Sequence, residues 1–206
     1  MLVSLPWASV SSALFRRASG MAAVIAFAAF QFTVEGLVPL LILVVRRERF
    51  ADYRFTHRNV GRSLATGSVL AACNDLILSY RAGVWLWIPL RRQSAARISW
   101  ATGFPLSVVG IAVTIAVWGF LEAFFGVFFA KKINQFVAHG ERGWLAPGAL
   151  GFALFNGLLH AFVGQGLAGF FASFASGYVI AVIPAITGNA WGSALFQTLT
   201  NAVGAL

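Results

Sequence analysis

The chain has 206 residues, 59% of them hydrophobic and only 10% charged, with a formal net charge of +9. Together with a mean hydropathy of +0.81, this composition excludes a soluble globular domain and identifies an integral membrane protein. The positive charge does not point to nucleic acid, because Lys and Arg cluster in short segments between apolar runs, where they meet anionic headgroups and set topology.

A spanning helix takes roughly 20 apolar residues, so this length supplies about six such helices joined by short loops. The expected fold is all-α: a polytopic membrane helical bundle forming a single domain over residues 1–206. Within residues 1–20, Leu2, Val3, Leu5, Trp7 and Val10 precede Leu14, Phe15, Arg16 and Arg17, a pattern for a short helix lying in the interface. The arginines follow the apolar patch, the reverse of a secretory signal, so no cleaved leader is expected.

The first span runs from Met21 to Val45, contains Glu35 four residues before Pro39, and ends at Arg46, Arg47 and Arg49. Phe50 to Arg62 follows, with Asp52, Arg54, His57, Arg58 and Arg62, the longest polar stretch of the chain, and it must lie in water. The second span, Ser63 to Leu90, holds Cys73, Asn74, Asp75 and Arg81. As the lone cysteine, Cys73 makes neither an internal disulfide nor a cysteine metal cluster, and it reads as a packing residue. The third span, Trp100 to Ala130, carries Pro105 and Glu122 and is closed by Lys131 and Lys132.

From Trp144 to Leu206 there is no Asp, Glu, Lys or Arg, and glycines punctuate the run. It divides into three spans, Leu145–Val163, Gly166–Ile186 and Asn189–Leu206, whose short connections make consecutive helices antiparallel neighbours. Ala168, Ala172 and Ser176, alongside Ser173 and Gly177, provide small residues at which backbones approach closely. Tryptophans 85, 87, 100, 144 and 191 suit an interfacial belt. Six arginines between the first two spans share a side with Lys131, Lys132 and Arg142, against five basic residues on the other side, which places both termini outside the cytoplasm.

Ionisable groups at bilayer depth are expensive and mark sites, proton paths or buried pairs. Glu35 and Asp75 are expected to be structural, either of them pairing with Arg81. Glu122, His160 and Asn201 lie in three separate apolar stretches. A carboxylate in a dry cavity can take a proton from water, and His and Asn donors can stabilise an oxyanion. Gln197 and Asn201, one turn apart, are also of the type that joins helices by hydrogen bonds. No metal is expected, because only Glu122 and His160 are plausible ligands in this half and catalytic zinc usually takes three. A haem or pigment held axially by His160 is a weaker alternative, since no motif surrounds that histidine.

The stretches Trp118-Gly-Phe-Leu-Glu-Ala-Phe-Phe-Gly-Val-Phe-Phe-Ala-Lys-Lys, Ala153-Leu-Phe-Asn-Gly-Leu-Leu-His-Ala-Phe and Asn189-Ala-Trp-Gly-Ser-Ala-Leu-Phe-Gln-Thr-Leu-Thr-Asn together resemble the CPBP family over about residues 103–201. That family comprises CAAX prenyl endopeptidases of the second type and bacteriocin-processing or immunity-related membrane proteins, with the motifs E-E-x-x-x-R, F-x-x-x-H and H-x-x-x-N. By this resemblance Glu122 takes the second glutamate place, with Leu121 at the first and Gly126 at the arginine. His160 takes the histidine of the second motif, with Asn156 in the phenylalanine place. Gln197 replaces the third-motif histidine, and Asn201 keeps the asparagine.

The resemblance implies an intramembrane metalloprotease fold with Glu122 as base, His160 as its partner and Asn201 as oxyanion donor. The groups missing at Leu121 and Gln197 are each worth about two or more orders of magnitude in rate, so ordinary proteolysis should be largely lost. The expected function is therefore a catalytically impaired binding or accessory subunit of a membrane complex. The alternative is an active endopeptidase, for which another carboxylate, Glu35 or Asp75, has to fill the place left by Leu121. Its partners are membrane lipids and a membrane protein or membrane-embedded peptide, in a bacterial-type inner membrane.

Overall fold

The computed structural model describes residues 20–82, 94–137, 143–162 and 166–200, and every regular element among them is helical. The elements are α1 (Gly20–Arg46), a 3₁₀ turn (Phe50–Tyr53), α2 (Val60–Ala82), α3 (Ser94–Ala101), α4 (Leu106–Phe136), α5 (Pro147–His160), α6 (Gly166–Thr187) and α7 (Trp191–Thr200). The expected interfacial helix at the N-terminus, Trp85, Trp87, Arg91, Arg92, Arg142 and Asn201 lie outside the described residues.

Three helices are long and apolar enough to cross a membrane: α1 with 27 residues, α4 with 31 and α6 with 22. The other elements fall short of the six expected spans for separate reasons. Helix α2 has 23 residues but carries Arg62, Asn74, Asp75 and Arg81, while α5 and α7 have 14 and 10 residues within their described bounds. Trp100, expected to open the third span, belongs to the separate helix α3, because the chain breaks between Ala101 and Leu106 around Gly103, whose φ is +74°. At the other end α4 runs on past Ala130 to Phe136. Cys73, expected to pack, is exposed.

The core forms where α4 meets α5, α6 and the 3₁₀ turn, around Phe124, Phe128, Phe152, Ile180 and Tyr53. Phenylalanine dominates it: Tyr53 stacks on Phe128 with ring centres 5.4 Å apart, and Phe129 stacks on Phe155 at 4.8 Å. Trp191 stands edge-on to Phe55 at 5.3 Å and leans on Phe120 at 5.7 Å, and remains exposed at the start of α7. Helices α5 and α6 make the most extensive pairing. Of the small residues on α6, Gly177 touches Asn156 and Ala153, and the Ser173 carbonyl accepts Asn156 Nδ2 at 2.8 Å, while Ala168 and Ala172 are exposed. Only part of the small-residue row is thus a helix contact.

Helices α2 and α7 start at the same end and approach to backbone contact. An added Cβ on Gly192 would stand 2.0 Å from the Ser63 carbonyl oxygen, and one on Gly67 would stand 2.2 Å from the Gly192 oxygen. Ser63 completes the joint, donating Oγ to the Asn189 carbonyl at 2.7 Å and accepting the Gly192 N–H at 2.8 Å.

Asn189 fixes the polar stretch to this corner. Its Oδ1 accepts the Trp191 N–H at 2.9 Å, as helix N-caps do, and its Nδ2 donates to the carbonyls of Thr56 and Arg58 at 2.7 and 2.8 Å. Every polar group of this fully buried side chain is thereby used. Pro184 lies inside α6 and offers no N–H to the Ile180 carbonyl four residues earlier. Ser193 Oγ of α7 donates to that carbonyl instead, at 2.7 Å.

Candidate functional site

Two helices lose α-helical regularity at the same depth. Residues Phe32–Leu37 of α1 and Ile115–Leu121 of α4 are π-helical, and these two stretches pack against each other. A π stretch is an inserted residue in an α-helix and is frequent at functional sites. Glu35 sits within the first, and Glu122 follows directly on the second. Gly36 lies at this contact, where a Cβ would meet Leu121 Cδ1 at 3.4 Å, an ordinary van der Waals distance. Glu35 and Glu122 thus lie on the facing stretches of α1 and α4. Gln31, one turn before Glu35, donates Nε2 to its Oε2 at 3.0 Å.

The antiparallel register of α5 on α4 sets the place of His160. Gly148 lies against Ala130 and Asn134, and Phe152 and Phe155 lie against Phe125 and Phe129. Continuing one helical turn along each helix brings His160, half-buried at the end of α5, to the level of Glu122. Helix α7 reaches the same level. Thr198 packs on Gly119, where a Cβ would meet its Oγ1 at 2.1 Å, and Gly119 is three residues before Glu122.

Gln197 is buried and accepts the Ser176 hydroxyl at 3.4 Å, so the side chain faces α6. Gly126 lies beneath Phe152 and Ile180, whose atoms would stand 2.6 and 2.8 Å from an added Cβ. Asn156 is a helix-to-helix bond donor. The fold thus gathers Glu122, Glu35 and, by register, His160 into one layer, with Leu121, Gly126 and Gln197 built into helix contacts around it.

Of the two acids the sequence offers for the place left by Leu121, Glu35 and Asp75, Glu35 is the one on the π stretch that packs against α4. The available signal was a pair of glycines: Gly36 beside Glu35 and Gly119 one turn before Glu122, each at a point where a neighbouring helix comes close. Among the described residues no group of three His, Cys, Asp or Glu converges.

A second polar centre lies at the basic end of the bundle. Lys132 Nζ contacts both Glu48 oxygens at 2.7 and 2.8 Å, and Tyr53 donates its hydroxyl to the same carboxylate. Partial burial would raise the Glu48 carboxyl, but hydrogen bonds from Lys132 and Tyr53, with the Lys132 and Arg46 charges, outweigh it and hold the pKa below the ordinary 4.5. Burial, then the Glu48 hydrogen bond and charge, push the Tyr53 phenol well above its ordinary 10.0. Lys131 lies over the Tyr53 ring at 4.6 Å and donates to the Asp52 carbonyl at 2.6 Å. These contacts bring Glu48, Asp52 and Tyr53 of the first basic segment together with Lys131 and Lys132 at one end of the bundle.

Comparison with known protein families, curated proteins and solved structures returns no match for this chain.

Proposed function

We propose that the chain is a catalytically silent, CPBP-like subunit of a bacterial-type plasma membrane, binding a membrane protein or membrane-embedded peptide. Its apolar helices cross the bilayer as six spans. The observation that carries this reading is the fate of the three substituted motif positions. Leu121 faces the α1 backbone at Gly36, Gly126 is roofed by Phe152 and Ile180, and Gln197 bonds Ser176. Positions that would supply a carboxylate, a guanidinium and an imidazole to a peptidase instead hold helices together. Glu122 and His160 remain as the polar groups of that layer.

A second reading has its own support. Glu35 comes from α1 to the side of Glu122, so a second carboxylate stands near the place vacated at Leu121. With Glu122 as base and His160 as partner, this is the arrangement an active endopeptidase would use, with Asn201 as the oxyanion donor.

Affinity purification in mild detergent separates the two. Wild type, Glu122→Ala/His160→Ala and Glu35→Ala are compared by mass spectrometry of co-purifying proteins and cleaved membrane peptides. A stoichiometric partner retained by wild type, with no cleavage that depends on Glu122, is the expected result. Peptide products that vanish in both the double variant and Glu35→Ala would replace the silent subunit with the peptidase.

A further inference from the structure

The basic end of the bundle contains an open cleft of about 370 Å³, counting its solvent-filled mouth, of which about 30 Å³ admits water. It lies between the 3₁₀ turn, the last turns of α4, the start of α5 and the end of α6, and Arg54, Lys131, Asn134, Ala146 and Pro184 are among its walls. We infer that this cleft binds a phosphate oxyanion of an anionic phospholipid headgroup, with Lys131 and Arg54 as its cationic ligands.

Charge and position argue for this together. The two neighbouring lysines differ in their partners. Lys132 is neutralised by Glu48 at 2.7 Å, whereas Lys131 has a backbone carbonyl and a ring face, and among the described residues no carboxylate forms an ion pair with it. An ammonium has three N–H donors, and the Asp52 carbonyl takes one. Asp52, the acid on the cleft wall, turns its carboxylate to Arg49, accepting the backbone N–H at 2.7 Å and facing the guanidinium at 3.8 Å.

Arg54 is held to the wall by donating Nη1 to the Pro184 carbonyl, and its left-handed backbone, φ 65°, places it at the turn. The amino end of α5 borders the same cleft, its Gly148 N–H taken by Asn134 Oδ1 at 2.7 Å, and its positive dipole end adds to the charge there. The surrounding segment from Arg46 to Arg62 has six arginines against Glu48 and Asp52. This basic rim lies at the ends of α1 and α4, where a membrane-spanning protein meets headgroups, and basic clefts between spanning helices are suited to anionic lipids. The water-sized space at its base admits a phosphate oxygen and leaves the rest of the headgroup in the mouth.

The test is native mass spectrometry of the protein released from phosphatidylcholine vesicles doped with phosphatidylglycerol, with wild type, Lys131→Gln, Arg54→Gln and Arg62→Gln compared. Arg62 is exposed and off the cleft wall, so it controls for net charge. Wild type should retain phosphatidylglycerol over phosphatidylcholine, and Lys131→Gln should lower that retention about tenfold, as loss of one charge-assisted hydrogen bond does. Lys131→Arg should restore it, which separates lipid binding from folding. Equal losses in Arg62→Gln and Lys131→Gln, or equal retention of both lipids by wild type, would overturn the inference. Inorganic phosphate added to pure phosphatidylcholine vesicles is the further arm: thermal protection there that depends on Lys131 would assign the cleft to a soluble phosphate and overturn the lipid.

Discussion

Ser193 of α7 donates its hydroxyl to the Ile180 carbonyl of α6 at 2.7 Å, the acceptor that Pro184 leaves without an in-helix partner. The two residues compensate across a helix pair. Ser193 is fully buried, so its removal leaves a buried carbonyl unsatisfied. Ser193→Ala should destabilise the protein by about 1–3 kcal/mol. In a Pro184→Ala background, where an N–H is restored, the same change should cost clearly less. Thermal melting of the four proteins in detergent gives the coupling, and equal costs in both backgrounds would refute the compensation.

The α2–α7 joint should be intolerant of a single methyl. A Cβ on Gly192 would stand 2.0 Å from Ser63 O and 2.6 Å from Ser63 C, which are backbone atoms and cannot turn aside. Gly192→Ala should therefore cost about 1–3 kcal/mol or more. Gly61→Ala, at a site with nothing within 4 Å, serves as the control and should leave the melting temperature nearly unchanged.

The Glu48–Tyr53–Lys132 cluster sets a pH window. The Glu48 pKa is depressed in the folded protein, so its contribution is present above the ordinary 4.5 and is lost as pH falls below that value through the folded pKa. The Tyr53 pKa is raised, so its contribution is complete below the ordinary 10.0 and is lost as pH rises beyond it. Stability measured against pH should be flat between these limits with respect to this cluster. In Glu48→Gln the acid-side loss should shrink. An unchanged acid limb in that variant would rule out the assignment.

Restoring the arginine of the first motif should fail structurally. Gly126 is closed over by Phe152 and Ile180 at 2.6 and 2.8 Å from a Cβ position. Gly126→Arg should give little folded protein, judged by monodisperse yield in detergent. Leu121→Glu, at a half-buried position beside α1, should fold better than Gly126→Arg. A well-folded Gly126→Arg protein would show that the substituted site keeps room for the motif and would weaken the silent-subunit reading.

Hydropathy made the membrane class, the helical fold and the spans around α1, α4 and α6 legible, because runs of apolar residues are a one-dimensional signal. It did not reveal which face of each helix meets which neighbour. In α4 nearly every side of the helix is apolar, so Phe124 and Phe128 in the core and the exposed Val108 and Val109 look alike in sequence. The facing of Glu35 and Glu122 depends on the two π stretches, which have no periodic signature. The polar segment 50–62 read only as water-exposed loop. Its anchoring depends on pairs such as Asn189 with Thr56, separated by 133 residues.

The π stretch in α1 makes the aim of Glu35 a matter of residue count. It contains one residue more than an α-helix would use for the same rise, and each residue advances the helix by about 100°. Excising a single position from Phe32–Leu37 would let the hydrogen bonds revert to the α pattern and spin one half of α1 against the other by that angle. Glu35 would then point to a different compass bearing from Glu122 while every other helix stayed in place. The meeting of the two carboxylates is thus written into the chain as a length, and a one-codon deletion would erase it with no change in composition worth noticing.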